Sequence, residues 1–334
     1  MPKPASLLAA LTPVEFRDFL PEPLLGNVQS IAERYHSCDS RELDRASLER
    51  LLNDVKPEIL LAAWKTPLLP ARLPPSLRYV CYLCGSVKKL ITRQHLENGL
   101  LVTNWGGSIS PVVAEWALFH VLSGLRKATE WTFVMHLEGG WKDGDTETAS
   151  LFGRKIGLHG FGPVAREFIK LVKPFGPKIS VFAPDLDART APEFGVSPSP
   201  SLEALFSEND IIVEAAPLIP STTGIITEKL LRSIRPGSVF VNVGRGAVVD
   251  EAALLRVARE GKIQICLDVF TDEPLPKDSG FRGLRNVTLT PHISGPTTDR
   301  RRDAGAFAVA NLHAYAAGAP LSAVVSTAVY DRSS

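Results

Sequence analysis

The chain has 334 residues, a formal net charge of +1, and hydrophobic and charged shares of 45% and 22%. This length suits two domains, and the composition is typical of a globular protein with full cores. The near-neutral charge argues against a nucleic-acid partner, and no apolar run approaches the roughly 18 to 20 residues that span a membrane. The apolar run at residues 5–11 is too short for a signal peptide, so we interpret it as a first strand and expect a cytoplasmic protein.

The region from residue 1 to about 103 alternates short apolar runs with helical patterns. Strands are predicted at residues 6–11, 33–37, 58–64 and 78–83. A helix is predicted over 44–55, with Asp44 and Ser47 as cap residues. Strands separated by helices imply a small parallel α/β domain. A strand at 99–104 follows, and then one long helix from about Ser110, which a polar segment connects to the next strand.

Cys81 and Cys84 lie in the fourth of these runs with the C-x-x-C spacing of a redox or metal half-site. Residues three apart in a strand point to opposite faces, so the two sulfur atoms would diverge. No second Cys/His pair with zinc-like spacing follows. We therefore expect buried, reduced thiols and no metal site.

The second half of the chain begins with a glycine-rich turn between a strand and a helix. Gly160, Gly162 and Ala165 have the form G-x-G-x-x-A of a dinucleotide-binding turn. Gly160 permits the tight turn, Gly162 lets the backbone approach a pyrophosphate, and Ala165 lets the helix pack against the strand. The first N–H groups of that helix would face the phosphates.

From this turn onward, strands and helices alternate regularly. Strands are predicted at 155–158, 178–183, 210–214, 238–243, 263–269 and 287–289, with helices at 164–172, 201–206, 227–233 and 250–260. Residues 299–334 are predicted to be largely helical. The repetition predicts a Rossmann-type doubly wound parallel sheet, in which ligands bind beyond the carboxyl ends of the strands.

Three residues with complementary chemistry fall just after predicted strands at that edge: Arg245, Glu273 and His292. A histidine can exchange a proton near neutral pH, and a neighbouring carboxylate fixes its tautomer and favours its protonated form. A guanidinium binds a carboxylate at two points. Together they predict a site for hydride transfer between a nicotinamide cofactor and a 2-oxo or 2-hydroxy acid.

These blocks resemble those of the D-isomer-specific 2-hydroxyacid dehydrogenases, from about Trp64 to about Thr298. The resemblance rests on residues 113–115, the glycine turn, 216–218 with Thr222 or Thr223, 242–246, 267–274 and 289–292. It implies that Arg245 binds substrate, that Glu273 supports the histidine, and that His292 is the acid/base. It also implies a homodimer and an NAD cofactor, with NADP left open. The implied cofactor contacts are Gly160, Phe161, Gly162, Pro163, Val164, Ala183, Asp185, Ala216, Pro217, Thr222, Val243, Gly244, Asp268 and Ser294.

The family organisation places a flavodoxin-like substrate domain at residues 1–103 and 299–334, and the dinucleotide-binding domain at 104–298. Substrate contacts are expected at Lys65, Gly85 and Ser86, beside Arg245 and His292. The chain departs from the family pattern at the usual acidic position, which is Ala183 with Asp185 as a substitute, and at Pro163, where arginine is frequent. It also has Lys88 where an acid is usual, so either the substrate is more anionic or Lys88 is solvated.

Two other functions stay open at this point. An NAD(H)-sensing interaction protein could retain the fold, which the altered glycine turn and Ala183 favour, although a sensor needs no acid/base pair. A formate-type dehydrogenase or NAD-dependent hydrolase of similar fold is disfavoured, because formate enzymes of this group pair the histidine with glutamine and this chain has Glu273.

Overall fold

The structure is a computed structural model that describes residues 3–184, 186–187 and 189–332. It divides into two compact units. Unit 1 comprises the residues up to Ile109 and those from Pro296 onward, and unit 2 comprises Ser110–Gly295. These limits lie a few residues from the domain limits that the sequence predicts, 103/104 and 298/299.

Parallel strands and helices alternate through most of the chain. The strands are β1 (Ser6–Ala10), β2 (Arg34–Cys38), β3 (Ile59–Ala62), β4 (Tyr79–Tyr82), β5 (Leu101–Thr103), β6 (Lys155–His159), β7 (Lys178–Phe182), β8 (Ser197–Pro198), β9 (Ile211–Glu214), β10 (Val239–Asn242), β11 (Gln264–Leu267) and β12 (Val287–Leu289). The helices are α1 (Pro13–Phe19), α2 (Leu24–Ile31), α3 (Arg45–Val55), α4 (Arg93–Glu97), α5 (Ser110–Leu125), α6 (Ala128–Leu137), α7 (Pro163–Val172), α8 (Ala191–Phe194), α9 (Leu202–Glu208), α10 (Glu228–Ser233), α11 (Glu251–Arg259), α12 (Arg301–Ala316) and α13 (Thr327–Arg332).

Unit 1 contains a five-stranded sheet with the order β2-β1-β3-β4-β5, in which every pair is parallel. This is the flavodoxin-like order. Strands β1 and β3 are buried along their whole length, as continuous apolar runs in a parallel sheet should be. Helix α3 begins at Asp44, whose carboxylate accepts from the N–H of Ser47 at 2.7 Å, so the predicted cap is confirmed.

Unit 2 contains a seven-stranded sheet with the order β12-β11-β10-β9-β6-β7-β8, again parallel throughout. The strand order reverses between β6 and β9, as in a Rossmann sheet. The prediction of two parallel α/β domains, one Rossmann-type and one flavodoxin-like, is therefore confirmed. In this sheet the carboxyl ends of β6 and β9 mark the place where a dinucleotide-binding crevice opens.

Both faces of the unit 2 sheet are covered, because alternate residues of its strands enter different cores. In β10, Val239 and Val241 join the core that contains α5 and α7, whereas Phe240 joins the core that contains α9, α10 and α11. Helix α7 contributes its buried residues at helical spacing: Ala165, Phe168, Ile169 and Val172. The strand ends that carry the candidate site are thus held by packing on both sides.

Two elements of unit 2 differ from the sequence prediction. One long helix was expected after Ser110, but the structure has α5 and α6, separated by Lys127 in a left-handed conformation with φ of +52°. The two-residue strand β8 lies between the predicted strand at 178–183 and the predicted helix at 201–206, where no strand is predicted. Both differences follow from weak signals, since α6 buries none of its residues and β8 is a short edge strand.

Cys81 and Cys84 are both buried and both free. Burial raises the pKa of Cys81 to about 11 and that of Cys84 well above its ordinary value, so both are protonated thiols at neutral pH. Within the part of the chain that the structure describes, no group of three His, Cys, Asp or Glu side chains is arranged to hold a metal ion.

Candidate active site

The glycine-rich turn joins β6 to α7 at the point where the strand order of the unit 2 sheet reverses. Gly160 has φ of +96°, and a Cβ atom there would lie 2.9 Å from the backbone of Ala215 and Ala216, so only glycine fits. Gly162 is the N-cap of α7, and the space around an added Cβ is open to 4 Å. Gly162 has no side chain that could cap this helix. The turn therefore fits a dinucleotide, because open space and uncapped helix N–H groups meet at Gly162.

The neighbouring candidates at the turn are placed by packing. Phe161 is buried and packs edge-on against Phe194 at 5.0 Å between ring centroids, and the guanidinium of Arg166 lies 4.7 Å from the Phe161 ring. Pro163 occupies the first turn of α7, where its missing N–H costs the helix nothing, and Val164 follows it. Arg166, which the sequence analysis did not single out, is thus the basic residue of this turn. Its spacing of four from Gly162 was the available signal.

The predicted acidic position after β7 involves Ala183 and Asp185. Ala183 directly follows β7 and is half-buried. Asp185, its proposed substitute, lies outside the described residues.

The loops after β9 and β10 meet beside the turn. Gly244 brings its loop against the Ala216 carbonyl, with 3.2 Å between that oxygen and an added Cβ atom. The hydroxyl of Thr222 donates to the Pro217 carbonyl at 2.6 Å, which closes the loop after β9. Val243 is buried directly after β10. The predicted cofactor contacts therefore lie in two adjacent loops of unit 2: Ala216, Pro217, Thr222, Val243 and Gly244.

Asp268, after β11, is fully buried and both of its carboxylate oxygens accept hydrogen bonds. Oδ1 accepts from the N–H of Ile293 at 3.0 Å and from the hydroxyl of Thr290 at 2.6 Å. Oδ2 accepts from the N–H of Ser294 at 2.9 Å. Asp268 therefore holds the segment that contains His292, in addition to any contact with a cofactor.

Two aromatic side chains of α5 extend this network. The Thr290 hydroxyl donates to Asp268, so it accepts from Nε2–H of His120 at 3.1 Å and from Nε1–H of Trp116 at 3.4 Å. Nδ1 of His120 is buried and has no hydrogen-bond partner among the described residues. Burial lowers the pKa of His120 to about 4, so the ring is neutral. No local sequence signal indicates this contact, because 170 residues separate His120 from Thr290.

His292 follows β12 in a left-handed conformation with φ of +53°, which is rare for residues other than glycine. Its N–H donates to the carbonyls of Asp268 at 2.8 Å and Thr290 at 3.1 Å. Nδ1 of the ring lies 2.7 Å from Oε2 of Glu273, whose Oε1 accepts from the N–H of Phe270 at 3.0 Å. Backbone and side-chain contacts together fix the imidazole ring.

The Arg245 loop packs against the loop that carries Glu273. An added Cβ atom at Gly246 would lie 2.0 Å from the backbone of Phe270, so the backbones of the two loops touch. Burial lowers the pKa of Arg245, and the charge of Glu273 acts against that shift. The guanidinium donates to the Gly244 carbonyl at 2.7 Å. The structure thus brings Arg245, Glu273 and His292 to one edge of the unit 2 sheet.

The other predicted substrate residues lie in unit 1, after β3 and β4. An added Cβ atom at Gly85 would lie 2.9 Å from the indole of Trp105. The Gly85 carbonyl accepts from the side-chain amide of Asn104 at 2.8 Å. Ser86 is half-buried, and Lys65 is exposed with its N–H 3.4 Å from Glu15 Oε1. Nζ of Lys88 lies 5.7 Å from the centre of the Tyr330 ring. Lys88 therefore has an aromatic partner within its own unit.

The doubly wound sheet, the glycine turn and the His–Glu pair at its edge define a nicotinamide-dependent dehydrogenase. A family model described as the NAD-binding domain of D-isomer-specific 2-hydroxyacid dehydrogenases matches residues 118–294. Similar curated proteins include hydroxyphenylpyruvate reductase from Plectranthus scutellarioides, 32% identical over 249 residues, 74% of this chain and 78% of the relative. Glyoxylate reductase from Aeropyrum pernix is 30% identical over 251 residues, 73% of this chain and 75% of the relative. The chain belongs to the D-isomer-specific 2-hydroxyacid dehydrogenases.

Solved structures support the same fold. D-mandelate dehydrogenase from Rhodotorula graminis aligns with a TM-score of 0.82 at 21% identity, over 96% of this chain and 97% of that one. The NAD-complexed D-isomer-specific 2-hydroxyacid dehydrogenase of Lactobacillus delbrueckii aligns with a TM-score of 0.77 at 18% identity, over 96% and 99%. The family match makes this chain an NAD-dependent oxidoreductase. Among the described residues no helix is both long and apolar enough to cross a membrane.

Proposed function

We propose that the protein interconverts a 2-oxo acid and the corresponding D-2-hydroxy acid, with His292 as the acid/base. When bound, NAD(H) supplies or accepts the hydride at C2 of the substrate. Reduction also requires one proton at the carbonyl oxygen, and oxidation of the alcohol releases it. Because Nδ1 of His292 is held by Glu273, Nε2 is the ring nitrogen that exchanges this proton.

The other residues of the site bind and orient. Arg245 offers a guanidinium to the substrate carboxylate and polarises the adjacent carbonyl. Glu273 fixes the ring of His292 and compensates its positive charge when it is protonated. We assign the backbone of Gly85 and Ser86, and the side chain of Lys65, to contacts with the substrate carboxylate. In this assignment unit 1 is the substrate domain and unit 2 the dinucleotide-binding domain.

The observation that carries the proposal is the 2.7 Å contact between His292 and Glu273. A protein that only binds NAD(H) has no use for an oriented imidazole–carboxylate pair, so the pair favours an enzyme over a sensor. The curated relatives are reductases of hydroxyphenylpyruvate and glyoxylate by name. These names support a 2-oxo acid as the substrate class.

A substrate screen tests this proposal. NADH and NADPH are each combined with glyoxylate, hydroxypyruvate, pyruvate and bulkier 2-oxo acids, and loss of absorbance at 340 nm is followed. We expect turnover with at least one acid and a D-configured product. A protein that binds NADH but turns over none of these acids would contradict the proposal.

We also propose that the protein is a homodimer that associates through unit 2. Helix α6 buries none of its residues, and Leu137 at its end and the following Trp141 are each 73% exposed. Exposed apolar side chains grouped in this way are typical of a protein–protein interface. Leu137→Glu should give a monomer in sedimentation velocity, whereas Leu171→Glu, at an exposed apolar position of α7, should stay dimeric. A monomeric wild-type protein would overturn this proposal. The cytoplasmic location stays a prediction.

A further inference from the structure

A buried histidine–glutamate pair lies where the strand order of the unit 2 sheet reverses. His159 is the last residue of β6 and Glu214 the last residue of β9, and the two are direct partners in the parallel register. Ligands of a doubly wound sheet bind just beyond this pair of strand ends. The pair therefore lies next to the glycine turn, which begins at Gly160, directly after His159.

His159 and Glu214 are polar residues at the ends of two strands whose central residues are mostly apolar. His159 is 4% exposed and Glu214 is fully buried, next to Leu158 and Val213, which are also buried. Burying a carboxylate away from water costs free energy unless hydrogen bonds replace its hydration. Nδ1 of His159 lies 2.5 Å from Oε2 of Glu214 and provides one of these bonds. No local sequence signal indicates this contact, because the partner is 55 residues away.

The second oxygen of Glu214 reaches the loop of the predicted cofactor site. Oε1 accepts from the N–H of Ala216 at 2.7 Å, and the N–H of Ala215 donates to the His159 carbonyl at 3.0 Å. Gly160 is in van der Waals contact with these same residues, since a Cβ atom there would lie 2.9 Å from Ala216. One carboxylate thus connects the strand that enters the glycine turn with the loop that faces it.

We propose that His159 and Glu214 are positioning residues for the dinucleotide: together they fix the Ala215–Ala216 peptides against the glycine turn, and so set the width of the cofactor crevice. Neither side chain touches the cofactor in this account. Two apolar side chains would fill the same positions in the core, but they would leave the Ala216 N–H without its acceptor. The pair then contributes to cofactor affinity as well as to packing.

The test compares NADH affinity with stability in the full-length protein. Glu214→Gln retains the shape but weakens both hydrogen bonds, and the double variant His159→Leu with Glu214→Leu replaces the pair by apolar packing. Asn209→Ala is the matched control, because Asn209 is also buried but precedes β9 at the opposite end of the strand, where it donates to Leu205. NADH dissociation constants are measured by fluorescence titration, and stability by urea unfolding.

We expect the Kd for NADH to rise about 10-fold in Glu214→Gln and to stay raised in the double variant, even where its stability recovers. Asn209→Ala should lose stability and bind NADH as the wild type does. Wild-type affinity in the double variant would overturn the proposal, and so would a rise in Kd in Asn209→Ala equal to that in Glu214→Gln. The readout needs no turnover, so it is independent of whether the enzyme reduces a 2-oxo acid.

Discussion

The imidazole of His292 and the carboxylate of Glu273 meet at 2.7 Å, and each is held by a further backbone contact. Glu273 accepts from the N–H of Phe270, and the backbone of His292 is bonded to Asp268 and Thr290. The ring is thus oriented from both ends. This arrangement suits repeated exchange of one proton at one place, which is the requirement of a 2-hydroxyacid dehydrogenase.

Removal of the Glu273 charge should reduce turnover without affecting cofactor binding. Glu273→Gln leaves the imidazolium form of His292 without its counter-charge and leaves one acceptor oxygen for the N–H groups of both Phe270 and His292, so kcat should fall on the order of 100-fold. Glu251→Gln is the control, since Glu251 accepts from the neighbouring Thr271 N–H but is not bonded to His292. Steady-state kinetics of both variants check this. Equal losses in the two would show that the loop, and not the pair, is responsible.

The two glycines of the turn should respond differently to alanine. Gly162→Ala places a methyl group in open space at an ordinary φ of −70°, so stability should be retained. The same methyl group should obstruct the pyrophosphate and raise the Kd for NADH at least about 10-fold. Gly160→Ala should instead lower the free energy of unfolding by about 2 kcal/mol, from steric overlap and positive φ. Titration and urea unfolding separate the two effects. Unchanged NADH affinity in Gly162→Ala would exclude this turn as the phosphate site.

His120 should make the stability of the protein depend on pH. Its pKa is about 4 in the folded protein and about 6.5 when unfolded, so below pH 6.5 only the unfolded chain takes up the proton. The stability that the neutral His120 ring contributes is present above pH 6.5 and is lost as the pH falls toward 4. At pH 5 the loss is about 2 kcal/mol. The glutamine of His120→Gln does not titrate. Between pH 7 and pH 5 the free energy of unfolding of this variant, measured by urea unfolding, should therefore fall by about 2 kcal/mol less than that of the wild type. The exposed His313→Gln is the control, and equal losses in all three proteins would contradict the assignment.

Every strand of the two sheets except β8 could be predicted from the sequence, and so could the position of Glu273 and His292 beyond strand ends, because both have local signals. Apolar runs mark the strands, and Glu273 and His292 stand directly after two of them. The contacts between distant elements had no such signal. Nothing in the sequence around His159 points to Glu214, or around His120 to Thr290, because each contact depends on which strands and helices become neighbours. The break between α5 and α6 also had no local signal, because α6 buries none of its residues and therefore shows little helical periodicity.

The central claim is that His292 exchanges the proton while NAD(H) binding depends on other residues. The most direct test is the His292→Gln variant, with kcat measured on the best 2-oxo acid of the screen and the Kd for NADH measured in parallel. We predict that kcat falls by about 10²- to 10⁴-fold while the NADH Kd stays at its wild-type value. Retained turnover in this variant would contradict the claim. A wild-type protein without turnover, whose association changes with NADH and is unaffected by His292→Gln, would instead identify a sensor.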